Sequence, residues 1–299
     1  MARHFPLGVR EQVQFVLAAR QWLSELLSLP LLFMVLPPFL IGYQLANGHD
    51  RRTLLEGVAT LSLLTIWGSI LNHYADWDAD AINGKRPFLH LNVRRSDLLR
   101  MQWVVLAAYL AVSVVSFWQS LTTFLVILLG WMGAAQYSVG LRFKDRLWLS
   151  YPYLALAYSA YPLLLGLLVA GHATQSKALS VFVIMLLLLF LDTGIAPFKD
   201  YEDQTGDRRI GKRTLPNVYG ARTTARFQSV LIGLAAIAAS LLAVVLQVTW
   251  SWVLVVFCLV LLMLVQLQRR ISDAWFDFLH YAAMVALAVN LTLLLLTSD

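Results

Sequence analysis

Two stretches set carboxylates at the ends of long apolar runs. The first, "NHYADWDAD", starts at Asn72 and follows "LLEGVATLSLLTIWGSIL"; the second, "FKDYEDQTGDRRIGKRTLP", runs from Phe198 to Pro216. Of the 17 acidic residues in the chain, Asp76, Asp78, Asp80, Asp200, Glu202, Asp203 and Asp207 fall in these two windows. Residues three or four apart share a helix face. If the first run continues as helix through its motif, Asn72, Asp76 and Asp80 form one stripe. Asp200, Asp203 and Asp207 form a similar one, while Asp78 and Glu202 point away. Carboxylates gathered in this way repel one another and resist desolvation, so a cation belongs among them. Hard oxygen donors without paired His or Cys suit Mg²⁺, which keeps waters and binds through substrate phosphates. The chemistry indicated is the capture of a diphosphate through Mg²⁺, with the apolar bundle beyond it holding a long lipid tail. A single acidic loop is as readily explained by solvation; two motifs, each beside a basic run, favour a site.

Basic residues complete that picture. "GKRP" supplies Lys85 and Arg86, "QYSVGLRFKDR" supplies Tyr137, Ser138, Arg142 and Lys144, and "FKD" supplies Lys199. "GDRRIGKRT" supplies Arg208, Arg209, Lys212 and Arg213. Arg and Lys neutralise a departing diphosphate. Taken singly, each is more simply an anchor at the cytoplasmic face. Lys144, Arg142 and Lys199 stand out by their nearness to the acids or to the Tyr-Ser pair.

The elements that must position these groups are membrane helices. Hydrophobic residues make up 59% of the 299, charged residues 13%, and mean hydropathy is +0.68. Soluble domains carry about 25% charged residues. A spanning helix needs about 20 apolar residues. Nine runs qualify, at roughly 22–47, 54–75, 98–117, 121–139, 148–170, 178–198, 226–247, 250–267 and 276–297. They are Leu- and Ala-rich and lack the alternation of strands. With the N-terminus in the cytoplasm, every lysine and arginine except Arg51, Arg52 and Lys177 falls on the inner side. That is the positive-inside pattern, and it explains the net charge of +6 without any nucleic-acid partner. The expectation is an all-α polytopic bundle of nine transmembrane helices, a single domain over residues 1–299, with its site on the cytoplasmic side. The opening "MARHFPLGVREQVQFVLAAR" reads as an interfacial helix, and no cleavable signal is evident. The lone Cys258, in an apolar run, excludes an internal disulfide.

The two acidic motifs resemble the paired signatures of the UbiA superfamily of intramembrane prenyltransferases. "NHYADWDADAIN" is similar to the first signature, Asn-x-x-x-Asp-x-x-x-Asp. "KDYEDQTGDRRIGKRTLP" is similar to the second, and "YSVGLRFK" resembles the Tyr-Ser segment between the fourth and fifth helices. The resemblance extends over nearly the whole chain and implies a nine-helix bundle. It further implies Mg²⁺-dependent transfer of a prenyl group from a prenyl diphosphate to an acceptor, often aromatic. By this resemblance Asn72, Asp76 and Asp80 match one metal site, and Asp200, Asp203 and Asp207 match the other. Tyr137, Ser138 and Lys144 match positions near the diphosphate. The chain departs from many members at His73, where they carry Asp, and in "FLHLNVRRSD", which lacks a Ser-Gly pair. The motifs are compatible with quinone-ring, chlorin, glycerophosphate or phenolic acceptors, and they set neither prenyl length nor oligomeric state.

An allylic cation needs a dry, electron-rich pocket. Trp67, Trp131, Tyr158 and Tyr161 are candidates to line it, although packing alone explains any one of them. Asp192 falls inside an apolar run, where an ionisable group is a functional candidate. It could orient an acceptor, accept its proton, or pair with Gln136. Two rival readings share the composition. A terpene cyclase would use the same ionisation, and a cation transporter would use the acids as an ion path. Transporter sites lie near the bilayer midplane on broken helices, whereas these acids lie at helix ends.

Overall fold

The computed structural model describes residues 29–82, 93–171, 178–202, 204–209, 211–246 and 251–267. The interfacial helix expected at the N-terminus, the ninth span, Lys85 and Asp203 lie outside these residues, as do the side chains of Asp80 and Lys199. Every regular element among the described residues is helical.

Helix α1 (Leu29–Leu45) contains Pro37 and Pro38. It is followed by α2 (Arg51–Ala75), whose N-cap Asp50 accepts hydrogen bonds from the N–H groups of Arg52 and Thr53. That cap satisfies first-turn donors that have no partner within the helix. A short α3 (Trp77–Ile82) continues past the end of α2. Next come α4 (Arg95–Phe117) and α5 (Leu121–Ser138). A 3₁₀ turn, Phe143–Asp145, then leads into α6 (Ser150–Ala155). A π turn (Leu156–Ala160) joins α6 to α7 (Tyr161–Ala170). The chain continues through α8 (Ala178–Ile195), α9 (Pro197–Glu202), α10 (Gln204–Arg209), α11 (Leu215–Leu246) and α12 (Ser251–Leu267).

Six helical stretches are long and apolar enough to cross a membrane: Arg51–Ala75, Arg95–Phe117, Leu121–Ser138, Ser150–Ala170, Ala178–Ile195 and Leu215–Val244. Two shorter apolar ones, Leu31–Leu45 and Trp252–Gln266, coincide with the first and eighth expected spans. The seventh differs most from expectation. Its helix begins at Leu215 and bends at Gly220, whose φ of 75° suits glycine. Arg222 and Arg226 make its first turns too polar to be read as membrane-embedded, so the apolar pattern alone places the start too late.

Two hydrophobic clusters organise the bundle. One joins α1, α2, α4, α5 and α7 around Phe39, Leu61, Trp67, Tyr109 and Ile127. The other is dominated by α8, α11 and α12, around Leu187, Leu191, Ile232 and Cys258. Outward positions are also apolar; Trp103, Val115, Leu121, Val230 and Val244 are each more than half exposed. In water that would be an association surface, but on a spanning helix it is the face that meets lipid. Helices α1 and α7 cross at Gly42 and Gly166. A Cβ at Gly42 would lie 2.1 Å from the Leu163 carbonyl oxygen, and one at Gly166 would lie 2.0 Å from that of Phe39. Small residues permit such backbone contact between membrane helices.

Candidate active site

The first acidic motif is not one continuous helix. Helix α2 closes where the Asp76 N–H donates to the Asn72 carbonyl at 2.8 Å, and Asp76 itself leaves helical geometry at φ −95°, ψ 9°. The chain re-enters helix at Trp77. This break corrects the expectation of an unbroken stripe through Asp80. Asn72 and Asp76 nevertheless converge. Lys144 Nζ donates to Asp76 Oδ1 at 2.7 Å and to Asn72 Oδ1 at 3.1 Å, and Ser138 Oγ donates to the same Asn72 oxygen at 3.3 Å. Asp78 is exposed and lies 3.8 Å from Arg95, whose guanidinium covers the Tyr74 ring.

Lys144 reaches this position because the chain turns sharply after α5. Arg142 adopts the left-handed conformation, with φ 50°, and starts the 3₁₀ turn that carries Lys144 inward. Arg142 itself stays outside and pairs with Asp145. Lys144 is only 7% exposed. Burial pulls its ammonium below the usual lysine range, and the adjacent Asp76 carboxylate opposes that shift.

The second motif is built from short helices beyond α8. Asp200, on α9, accepts a 2.5 Å hydrogen bond from Tyr151 Oη, and that phenol oxygen accepts the Leu215 N–H at 3.0 Å. Asp207, on α10, is buried, and its carboxylate lies 3.3 Å from Lys212 Nζ. The turn between them is closed by the Lys212 N–H donating to the Asp207 carbonyl, with Gly211 at φ 73°. Arg208 points outward to Asn217 and Gln204. Lys212, rather than Arg208, is therefore the cation beside this carboxylate.

Helix α10 packs against α3, which brings the two motifs together. Tyr137 lies between them, within electrostatic reach of Asp76, Asp145 and Asp200. Its ring stacks on Tyr153 at 5.4 Å, and Tyr153 meets Phe143 at 5.1 Å. On the same two helices as Asn72 and Tyr137, Trp67 and Trp131 lie 6.3 Å apart, in one cluster with Tyr158 and Tyr161. Asp192 is bound by Ser159, while Gln136 accepts the Leu141 N–H, so the pairing weighed from sequence does not form.

The donor set fits a hard divalent cation. Two oxygens from Asn72 and Asp76 already converge on one positive charge, the Lys144 ammonium. Among the described residues no three His, Cys, Asp or Glu side chains form a closed cage. An open set of oxygen donors suits Mg²⁺, which retains waters and completes its shell with substrate phosphate. Sequence reasoning overlooked Tyr151 and Ser159. Nothing in their spacing marks them, since each acts across a helix interface.

Apolar helices packed around paired acidic motifs at helix ends define a membrane-type helical bundle with an open set of oxygen donors. The chain belongs to the UbiA prenyltransferase family, whose model matches residues 35–295. It is 29% identical over 166 residues to the chloroplastic chlorophyll synthase of Arabidopsis thaliana, covering 54% of this chain and 42% of that one. It is 30% identical over 166 residues to the bacteriochlorophyll synthase 33 kDa chain of Rhodobacter capsulatus, covering 55% and 54%. The chain thus spans about half the length of the curated relatives it matches. Among solved structures, a UbiA homologue from Archaeoglobus fulgidus bound to GPP and Mg²⁺ superposes with a TM-score of 0.68 at 16% identity, over 91% of this chain and 99% of that one. A digeranylgeranylglyceryl phosphate synthase gives 0.64 at 17% identity, over 91% and 97%.

Proposed function

We propose that this protein is a Mg²⁺-dependent intramembrane prenyltransferase, moving a prenyl group from a prenyl diphosphate to an aromatic or lipid-like acceptor through an allylic cation. The observation that carries the reading is the convergence of Asn72 and Asp76 on one cation position, with the helix that carries Asp207 packed against the end of the first motif. The ligands of the Archaeoglobus homologue and the synthase names of the curated relatives support it. In this reading residues 1–299 form one unit of nine spans, with the N-terminus and the site mouth cytoplasmic.

Asn72, Asp76 and Asp80 hold one side of the metal–diphosphate assembly, and Asp200, Asp203 and Asp207 hold the other. Bound Mg²⁺ supplies Lewis-acid stabilisation of the negative charge that develops on the departing diphosphate. Lys144 is placed to exchange its carboxylate partner for a phosphate oxygen, with Ser138 beside it as a hydroxyl donor. Lys199, Lys85, Arg142 and Arg208 supply positive charge around the mouth. Tyr137, within electrostatic reach of Asp76 and Asp200, supplies an aromatic ring to stabilise the allylic cation, and the apolar bundle excludes the water that would quench it.

The test is a membrane assay with labelled geranyl, farnesyl and geranylgeranyl diphosphates, with Mg²⁺ and with EDTA, with and without acceptors. Mg²⁺-dependent diphosphate release that is lost in Asp76→Ala and Asp207→Ala is the expected result. Release insensitive to EDTA, or unchanged in both variants, would overturn the proposal.

A further inference from the structure

The helical run from α6 through the π turn meets α8 and α9 in antiparallel register. Tyr151 reaches Asp200. Eight residues further along, Ser159 Oγ donates to Asp192 Oδ2, eight residues before Asp200 on the facing helical segment. Eight residues of regular α-helix overshoot two turns by about 80°. The π turn Leu156–Ala160 is wider and absorbs that excess, returning Ser159 to the face that Tyr151 presents to the acidic site. π turns inside α-helices concentrate at functional sites.

Asp192 occupies the last turn of α8, its carbonyl accepting the Ala196 N–H at 2.9 Å. Asp200 follows eight residues later, in the short helix α9. The residue is 5% exposed. Ser159 engages Oδ2, whereas Oδ1 is buried with no hydrogen-bond partner. A carboxylate oxygen left unmet in an apolar interior is costly, and ionisable groups within spanning helices mark substrate paths. Tyr158, the neighbour of Ser159, lies within electrostatic reach of Tyr137, so this pair borders the aromatic floor of the site.

We propose that Asp192 Oδ1 anchors the acceptor by accepting a hydrogen bond from a hydroxyl or N–H group on it, with Ser159 as the positioning residue that holds the carboxylate. This rests on the prenyl-transfer reading and narrows it to acceptors carrying a protic group.

The experiment uses full-length protein in lipid nanodiscs and two matched probe pairs: a phenol with its methyl ether, and a long-chain alcohol with its methyl ether. Binding is measured without donor, so that reactivity does not enter. At least one protic member is expected to bind about tenfold more tightly than its ether, the scale of a hydrogen bond to a charged group. Asp192→Ala removes that preference, and Ser159→Ala reduces it. In both variants the KM for prenyl diphosphate and the acceptor-independent release of diphosphate stay within about twofold of wild type. Should Asp192→Ala fail to fold, Asp192→Leu, with a similar side-chain volume, provides the same comparison. Equal binding within both pairs, binding of neither member, or a preference that survives loss of the carboxylate overturns the assignment. Diphosphate release in wild type distinguishes the two levels: its absence with every donor defeats prenyl transfer itself, whereas release without protic preference defeats Asp192 alone.

Discussion

The two acidic motifs are alike in sequence but are stabilised in different ways. The first depends on partners far along the chain. Asp76 and Asn72 are held by Lys144 and Ser138, which come from the turn after α5 and the end of that helix. The second contains a local pair, Asp207 meeting Lys212 across a tight turn, while Tyr151 reaches Asp200 from a distant element. The first motif is therefore a gauge of how helices pack, whereas the Asp207–Lys212 pair of the second is set within one turn.

The most severe break in this comparison is Asp76→Ala. It removes a proposed metal ligand and strands a buried ammonium beside Asn72 alone. Diphosphate release is expected to fall by about 10²–10³-fold, with a lowered unfolding temperature of the purified protein. Asp207→Ala should match it in activity but lower the unfolding temperature less, because Lys212 is partly exposed. Lys144→Met comes next. It frees the Asp76 carboxylate, so Mn²⁺ binding followed by electron paramagnetic resonance should tighten while diphosphate release drops by about 10–100-fold. Weaker Mn²⁺ binding in that variant would show that Lys144 organises the oxygens rather than competing for them. Tyr151→Phe removes both Oη contacts and should weaken Mn²⁺ binding about tenfold, the lower end for an outer-shell partner. Lys212→Met, at the exposed end of the local pair, should change diphosphate release by no more than about threefold. An effect as large as that of Lys144→Met would erase the distinction between the two motifs.

Much of the fold was legible because apolar length is a direct consequence of membrane thickness. The runs at 54–75, 98–117, 121–139 and 178–198 match helices closely. The paired acids were legible because charge is conspicuous in so apolar a chain. The break at Asp76 was not, since helical spacing persists across it and no Gly or Pro marks it. Lys144 was singled out among several basic residues, but its burial depends on the left-handed turn at Arg142, which the local sequence does not signal. Tyr151 and Ser159 were invisible for a related reason. Their roles arise from antiparallel register between two helices, and the π turn that sets that register has no pattern of its own.

The glycine contacts also bear on where this interior can change shape. At the α1–α7 crossing any added side chain would strike backbone carbonyls, so that seam is rigid. On α5 the situation is different: a Cβ at Gly130 would meet the far end of Tyr161, and one at Gly133 would meet the hydroxyl of Tyr153. Those ring ends can move where a main chain cannot. Added bulk on α5 therefore meets side-chain ends that can yield, whereas at the α1–α7 crossing it meets main chain, and α5 is the helix along which evolution or engineering can reshape the interior.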